Sequence, residues 1–197
     1  MKKIFFAFAM LCSSVILAQN VYHFTNGLAS GKVHQYGREA MYSDTLAYSI
    51  YKGESKPQEG LAVSAEAKTK WTAVKADSAN NFRSQALANG YLYLTYNAPK
   101  AGTAVFIGTG HSMVFINGAP HAGDMYRYGW MYIPVQLKKG INEFYIRAAG
   151  AGRWASVKAM LDFSFKQIQL STKDATLRYR FLLKGKPYQK NGLDLSL

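Results

Sequence analysis

The sequence predicts an all-β protein built as an antiparallel β-sandwich, and three observations favour this fold. After residue 70, short runs of apolar and aromatic residues recur about every ten residues, which is the strand spacing of all-β folds. Polar turns separate these runs, among them Asn117-Gly118, a strong signal for a tight hairpin turn. Few segments show the recurrence of apolar residues every 3.6 positions that is typical of an amphipathic helix. A closed barrel fits the same pattern, whereas the lack of a repeat of roughly 20 to 50 residues disfavours a propeller or a solenoid.

The expected strands follow one another through the second half of the chain. They are 71–74, 90–96, 103–107, 112–116, 131–137, 141–148 and 156–165. The connection Lys138-Lys139-Gly140 predicts a hairpin in which the glycine is free to adopt a positive φ. Nearer the N-terminus, residues 43–51 fit a short helix with Ser43-Asp44-Thr45 as its cap, but their Tyr and Ile content also permits a strand.

The composition limits the class of protein. The 197 residues include 24 Lys+Arg and 11 Asp+Glu, which gives a formal net charge of +13, and 49% of them are hydrophobic. That hydrophobic share is enough for a core, and a charged fraction of 18% excludes a disordered polyelectrolyte. A single Cys excludes a disulfide framework and a Cys-rich zinc site.

Residues 1–18 predict a secretory signal peptide. Two lysines precede an apolar run at 4–17, and Ala18 offers a small residue for cleavage. The run is shorter than the ~20 residues that span a bilayer. A lipoprotein signal acylated at Cys12 is the alternative, which the two bulky residues before this Cys disfavour. We therefore expect an exported protein, periplasmic or extracellular, with no membrane span and no disulfide.

The chain is expected to divide into four parts. After the signal peptide at 1–18, residues 19–69 form a Gly-, Ser- and Tyr-rich segment of mixed pattern, and residues 70–165 form the β-sandwich. Residues 166–197 carry seven Lys or Arg and two Asp, and their pattern does not continue that of the sandwich. We interpret this last part as a linker or a truncated, irregular tail.

One segment is similar to part of a catalytic motif. In Gly110-His111-Ser112-Met113, a serine follows a glycine and a histidine, as at the nucleophile elbow of α/β-hydrolases. The elbow needs a small residue two positions after the serine and a helix beyond it, but Val114 stands there inside a strand-like run. We interpret the segment as a turn that enters a strand, and we predict no catalytic residue.

Three residues could be considered as metal ligands. His111, His121 and Asp124 have suitable side chains, but their spacing matches no established ligand pattern. We predict no metal and no cofactor, and we expect Asp124 to stabilise a turn by accepting hydrogen bonds from backbone N–H groups. Together with this aspartate, the expected structural turn residues are Asn117, Gly118, Gly140 and Asn142.

An aromatic stretch supplies the candidate ligand contacts. Tyr126, Tyr128 and Trp130 alternate with Arg127 and Gly129, and aromatic faces beside an arginine suit sugar stacking or cation–π contact. In a β-sandwich, however, alternating aromatic residues usually belong to a strand that has one face in the core and the other at the surface. The two interpretations stay open at this point.

The positive charge favours an acidic partner such as an anionic polysaccharide or cell surface. However, Lys and Arg are scattered through the expected sandwich, and no signature of nucleic-acid binding occurs. We predict no nucleic-acid partner, and most of the charge is interpreted as solvated surface.

Two stretches resemble a family of secreted bacterial enzymes. FINGAPHAGDMYRYG at 115–129 and IPVQLKKGINE at 133–143 are similar to the N-terminal β-sandwich of prolyl-oligopeptidase-like α/β-hydrolases. That module reads V-x-V-N-G-x-x-x-x-G-D-x-Y and then P-V-x-L-x-x-G-x-N-E, and Gly90-Tyr91 and Gly110-His111 resemble its earlier elements. The resemblance covers residues 70 to about 177. Its second element is shared by many galactose-binding-like domains, where the Gly makes the turn and the Asn side chain holds it.

The resemblance implies a galactose-binding-like, jelly-roll sandwich that serves as a non-catalytic accessory module of a peptidase- or esterase-type hydrolase. In that family the catalytic domain follows much later in the chain, so none of its catalytic residues corresponds to a residue here, and we expect a truncated reading frame. The partner would then be a hydrolase domain or a glycan. The alternative is a stand-alone carbohydrate- or surface-binding protein. A third hypothesis, an intact small hydrolase, would require a base and an acid beside Ser112.

Overall fold

The computed structural model describes most of the chain between residues 21 and 187. The described ranges are 21–33, 44–64, 69–129, 131–150 and 155–164, and three further strands between 168 and 187 are described by their backbone. The predicted signal peptide at 1–18 lies outside the described residues. No helix in the described parts of the chain has the length and apolarity of a membrane span.

Two antiparallel sheets contain most of the described strands. The five-stranded sheet consists of β1 (Val21–His23), β4 (Asn81–Arg83), β6 (Gly102–Thr109), β9 (Tyr132–Leu137) and β11 (Ser156–Asp162). Its order is β1-β11-β6-β9, and β4 pairs with β11 beside β1. The six-stranded sheet consists of β2 (Asn26–Ala29), β3 (Thr72–Lys75), β5 (Tyr91–Ala98), β7 (His111–Ile116), β8 (Ala119–Ala122) and β10 (Gly140–Ala148). Its order is β3-β2-β5-β10-β7-β8.

Side-chain alternation explains how these strands face the core. In β9 the buried residues are Ile133, Val135 and Leu137, and the residues between them are exposed. Strand β11 shows the same period of two, which is expected where one face of a strand packs inward and the other faces solvent. Strands β5 and β10 are buried on both faces for much of their length, because a second layer covers the outer face of their sheet.

The main core lies between the two sheets, so the fold is an antiparallel β-sandwich, as predicted. Phe106 of the five-stranded sheet stacks on Phe144 of the six-stranded sheet, with ring centroids 5.7 Å apart and planes 17° apart. Phe24 meets the same ring edge-on at 5.3 Å. All three side chains are at most 1% exposed, and each such burial stabilises the fold by about 1.5–3 kcal/mol. The closed barrel is not observed, because the strands form two separate sheets within the described residues.

A second apolar layer covers the outer face of the six-stranded sheet. Helix α1 (Thr45–Tyr51) directs Leu46 and Ile50 towards the sheet, and they pack there with side chains of β5, β7 and β10. The spacing of four residues places both on one side of the helix, and Tyr48 and Tyr51 on the other side are 63% and 71% exposed. The outer cluster consists of Leu46, Ile50, Val63, Trp71, Tyr91, Phe115 and Tyr145.

Asp44 attaches this helix to the sheet. One carboxylate oxygen accepts a hydrogen bond from the Ala47 backbone N–H at 3.0 Å and so caps the helix. The other accepts from the Tyr91 hydroxyl at 2.6 Å and lies 3.4 Å from Nε of Arg147. Burial raises the pKa of the Tyr91 phenol far above its usual value, and the neighbouring Asp44 carboxylate raises it further. The phenol therefore stays protonated and donates to Asp44.

Replacing Asp44 by alanine is expected to lower the free energy of unfolding by about 2 kcal/mol. The change removes a helix cap worth about 1 kcal/mol and leaves the buried Tyr91 hydroxyl without its acceptor, which costs at least about as much again. Thermal and denaturant unfolding measure this loss. Glu59→Ala, at an exposed position of the following segment, is the control and should change stability by less than about 0.5 kcal/mol. Equal stability of the two variants would contradict the proposed role of Asp44.

Several elements differ from the sequence-based expectations. Of the helix and the strand that the sequence permits for residues 43–51, the structure has the helix, Thr45–Tyr51, with Asp44 as its N-cap, and Ser43 lies outside the described residues. Strands β1 and β2 extend the sandwich towards the N-terminus, beyond the expected start at residue 70, and β4 and β8 were not expected. These strands have three or four residues, too few to show an alternating pattern.

The expected irregular tail also contains strands. They are β12 (Ile168–Ser171), β13 (Arg178–Leu183) and β14 (Lys186–Pro187), and they form a three-stranded antiparallel sheet of their own. Strand β12 alternates apolar and polar residues over four positions, and β13 does so over its first four residues only, so neither carries as long an alternation as β9 or β11.

Candidate functional site

Tyr126 and Tyr128, two of the three candidate ligand-binding residues, lie in one loop at an end of the sandwich. This aromatic loop, residues 123–129, follows β8 and precedes β9. It rests on the turn that joins β6 to β7, where the Gly110 N–H donates to the Asp124 carbonyl at 3.1 Å.

Asp124 holds the aromatic loop in shape. Its side chain is 5% exposed, and its two carboxylate oxygens accept from the backbone N–H groups of Tyr128, at 3.0 Å, and Gly129, at 2.7 Å. Its carbonyl also accepts from the Arg127 N–H at 3.2 Å, which closes a turn. Arg127 and Gly129 have φ values of 60° and 70°, a region that needs local support in a non-glycine residue. Charge-assisted bonds to Asp124 provide this support.

Gly123 allows the loop to lie close to β7. A Cβ atom at this position would overlap the His111 carbonyl oxygen and the backbone of Ser112. Neither neighbour is the free end of a flexible side chain, so any larger residue would move the loop away from the sheet. The glycine therefore fixes where the loop begins.

The aromatic loop presents two neighbouring tyrosine rings to solvent. Tyr126 and Tyr128 are 73% and 59% exposed, and their ring centroids lie 5.8 Å apart with 34° between the planes. Met125 beside them is also exposed. The Arg127 side chain turns back towards the β6–β7 turn. Its Nε lies 3.4 Å from the position that a Cβ atom would take if Gly110 carried a side chain. Trp130, the third predicted contact, lies outside the described residues.

His111 is buried beneath the loop. It is fully buried, its ring meets Phe106 edge-on at 5.9 Å, and neither ring nitrogen has a hydrogen-bond partner among the described residues. Burial lowers the pKa of the imidazole to about 4, although the nearby Asp124 carboxylate acts in the opposite direction. The ring is therefore neutral at pH 7.

Ser112 lies in strand β7, at a bulge where the pairing with β10 shifts by one residue. Its hydroxyl is 3.5 Å from the Arg147 carbonyl oxygen, and the adjacent His111 makes no hydrogen bond to it. This arrangement is not that of a serine activated by a base. His121 is half-buried in β8, and the described residues contain no group of three or more acidic, His or Cys side chains that could hold a metal ion.

The other predicted turn residues lie at the opposite end of β7. Asn117 and Gly118, with φ values of 51° and 87°, form the β7–β8 turn, and Gly140, with φ 90°, lies in the β9–β10 hairpin. Asn142 connects the two turns by accepting from the Asn117 side-chain amide at 2.9 Å. The structure thus separates these residues from Asp124 and the tyrosines.

A cleft near these turns was not predicted from the sequence. It lies beside the C-terminal end of α1, has a volume of about 220 Å³ and includes Tyr51, Ser55 and Glu143 in its lining. A smaller, more apolar cavity of about 170 Å³ lies beside Tyr96 and Phe163. The residues of the cleft come from distant parts of the chain, so no local pattern could have marked them.

Comparison with known proteins finds neither a matching family model nor a matching curated protein. Two solved structures, both described as family 35 carbohydrate-binding modules from Clostridium thermocellum, overlap with this chain. One is 20% identical, with 38% of this chain and 69% of that chain covered at a TM-score of 0.27. The other is 16% identical, with 73% and 98% covered at a TM-score of 0.33. At these scores the similarity assigns neither a family nor a ligand, and the expected association with a hydrolase stays a prediction.

Proposed function

We propose that this chain is a non-catalytic β-sandwich module that binds carbohydrate through Tyr126 and Tyr128. The observation that carries the proposal is the exposure of two adjacent aromatic rings on a loop whose backbone is fixed by a buried aspartate. Burying such rings against a ligand gains apolar contact area, and a phenol hydroxyl can add a hydrogen bond.

The geometry suits a sugar better than an apolar ligand. The apolar C–H face of a sugar ring can lie on a tyrosine ring while its hydroxyls stay in water or bond to the phenols. The rings are neither packed in the core nor enclosed in a deep pocket, so the surface can accept a unit within a longer chain. Because Asp124 already holds the loop, little conformational entropy is lost when the ligand binds.

Export and attachment to a hydrolase are separate parts of the proposal. Export rests on the signal-like sequence at 1–18, and the place in a larger hydrolase rests on the sequence resemblance at 115–143. Binding through the aromatic loop requires neither, because the described hydrogen bonds that hold the loop come from residues of this sandwich.

A glycan array tests the proposed binding. We expect saturable binding of the full chain to a limited set of glycans, and a loss of at least about thirtyfold in affinity for the double variant Tyr126→Ala/Tyr128→Ala. This loss corresponds to about 1 kcal/mol of binding free energy for each of the two stacked rings. Tyr48→Ala is the matched control, because this tyrosine is equally exposed but lies on α1.

Two outcomes would contradict the proposal. One is that no glycan binds to the full chain, and the other is that the double variant binds as strongly as Tyr48→Ala. Both variants are expected to keep the melting temperature of the unmodified chain, because the replaced rings are exposed.

A further inference from the structure

We propose that the cleft beside α1 is a second binding site, which accepts a single sugar unit. The cleft is bounded by the end of the helix, the segment 52–56, the Asn117-Gly118 turn and the start of β10. It lies at the far end of β7 from the aromatic loop. The proposal rests on the proposed function only in assuming the same class of ligand.

The walls of the cleft are held by contacts that do not involve a ligand. Ile50 and Tyr145 are each 3% exposed, and the Tyr145 hydroxyl donates to the Ser55 carbonyl at 3.4 Å. On the opposite side, the Asn117 N–H donates to the Glu143 carbonyl at 2.9 Å, and the Glu143 N–H donates to the Asn117 side-chain oxygen at 3.1 Å. The Gly53 N–H bonds to the Ile50 carbonyl at 3.0 Å and ends the helix. The cleft is therefore preformed.

Polar groups in the cleft lack partners within the described residues. The Ser55 hydroxyl is buried and makes no hydrogen bond there, although a buried hydroxyl left unsatisfied costs about 1–3 kcal/mol. One oxygen of the half-buried Glu143 carboxylate accepts from the Tyr93 hydroxyl at 2.8 Å, and the second has no such bond. The Lys56 side chain lines the same cleft and supplies an ammonium group.

These groups match the chemistry of a sugar. One sugar hydroxyl can donate to the Glu143 carboxylate while its neighbour accepts from the Lys56 ammonium. The exposed ring of Tyr51 at the rim offers a face for the C–H groups. A volume of about 220 Å³ equals that of about seven waters, which is room for one sugar ring.

The position of the cleft makes the two sites independent. Strand β7 has six residues, which span about 20 Å, so a ligand in the cleft does not reach the aromatic loop. The aromatic loop would hold a unit within a chain, whereas the cleft would hold a single unit. Both sites on one module would strengthen binding to a branched or multiply presented glycan through multivalency.

The test is an NMR titration of the full, ¹⁵N-labelled chain with glucose, galactose, mannose and N-acetylglucosamine, each as the free monosaccharide. We expect at least one of them to shift the amide signals of residues 53–56, 117–118 and 143–145 in a saturable way. Glu143→Gln, which retains an acceptor for Tyr93, and Lys56→Ala, at an exposed position, should each weaken this binding about tenfold. Gln58→Ala, on the same segment but outside the cleft, should leave it unchanged.

Three outcomes would overturn the inference. They are shifts confined to residues 123–129, no cleft shifts with any of the four sugars, and cleft binding that is unchanged in both Glu143→Gln and Lys56→Ala. None of them affects the proposed function, because binding at the aromatic loop is tested separately by Tyr126→Ala/Tyr128→Ala. Conversely, that double variant should retain full binding at the cleft.

Discussion

Replacing Asn142 by alanine is expected to lower the free energy of unfolding by about 3 kcal/mol, the largest loss we predict for a polar residue of this protein. The side chain is fully buried and fully hydrogen-bonded. Its oxygen accepts from the Lys138 N–H at 2.9 Å and from the Asn117 amide at 2.9 Å, and its NH₂ group donates to the carbonyls of Lys138, at 2.8 Å, and Gly140, at 3.0 Å. Alanine would leave several of these groups buried without a partner, at about 1 kcal/mol or more each.

Thermal unfolding measures this effect. For a chain of this length, 3 kcal/mol corresponds to a decrease of roughly 6–12 °C in Tm. Asn97→Ala is the matched control, because this asparagine lies exposed in β5 and makes no hydrogen bond through its side chain within the described residues. Its Tm should change by no more than about 2 °C. If Asn142→Ala were as stable as this control, the bridge between the two turns would contribute nothing to the fold.

A second large effect is a loss of stability in acid that depends on His111. The pKa of its imidazole is about 4 in the folded chain, because the ring is buried, and near 6.5 in the unfolded chain. Between these pH values the unfolded state binds a proton and the folded state does not. Stability therefore falls as the pH decreases from 6.5 to 4, by about 3 kcal/mol from this group alone.

Denaturant unfolding at a series of pH values tests this dependence. His111→Leu removes the titrating group and keeps an apolar side chain beside Phe106, so its stability should fall less steeply between pH 6.5 and 4. His121→Leu is the comparison, since burial also lowers the pKa of this histidine but its side chain is only half-buried. The slope of stability against pH for His121→Leu should stay closer to that of the unmodified chain. Parallel curves for His111→Leu and the unmodified chain would refute the assignment.

The sandwich could be predicted because its longer strands carry strong local signals. Strands β9 and β11 alternate over six and seven residues, and the Asn117-Gly118 pair has the positive φ values that a tight hairpin turn requires. Strands β1, β2, β4 and β8 have no such signal. They form because longer neighbours offer them hydrogen-bonding edges, which is a property of the assembled sheet.

The candidate site could be predicted in part. Aromatic density marked Tyr126 and Tyr128, but the sequence alone left open whether they face the core or solvent, and exposure of 73% and 59% decides this. The bonds of Asp124 to the two N–H groups of the loop are local, so a turn was expected there. The burial of His111 and the cleft around Ser55 depend on contacts between distant segments, which no local pattern reveals.

The most direct test of the central claim is an NMR titration of the ¹⁵N-labelled full chain with a glycan selected on the array. If the aromatic loop binds carbohydrate, the amide signals of residues 124–129 will shift and saturate, and these shifts will vanish in Tyr126→Ala/Tyr128→Ala. Saturable binding that leaves residues 124–129 unshifted, or shifts there that persist in the double variant, would contradict the account.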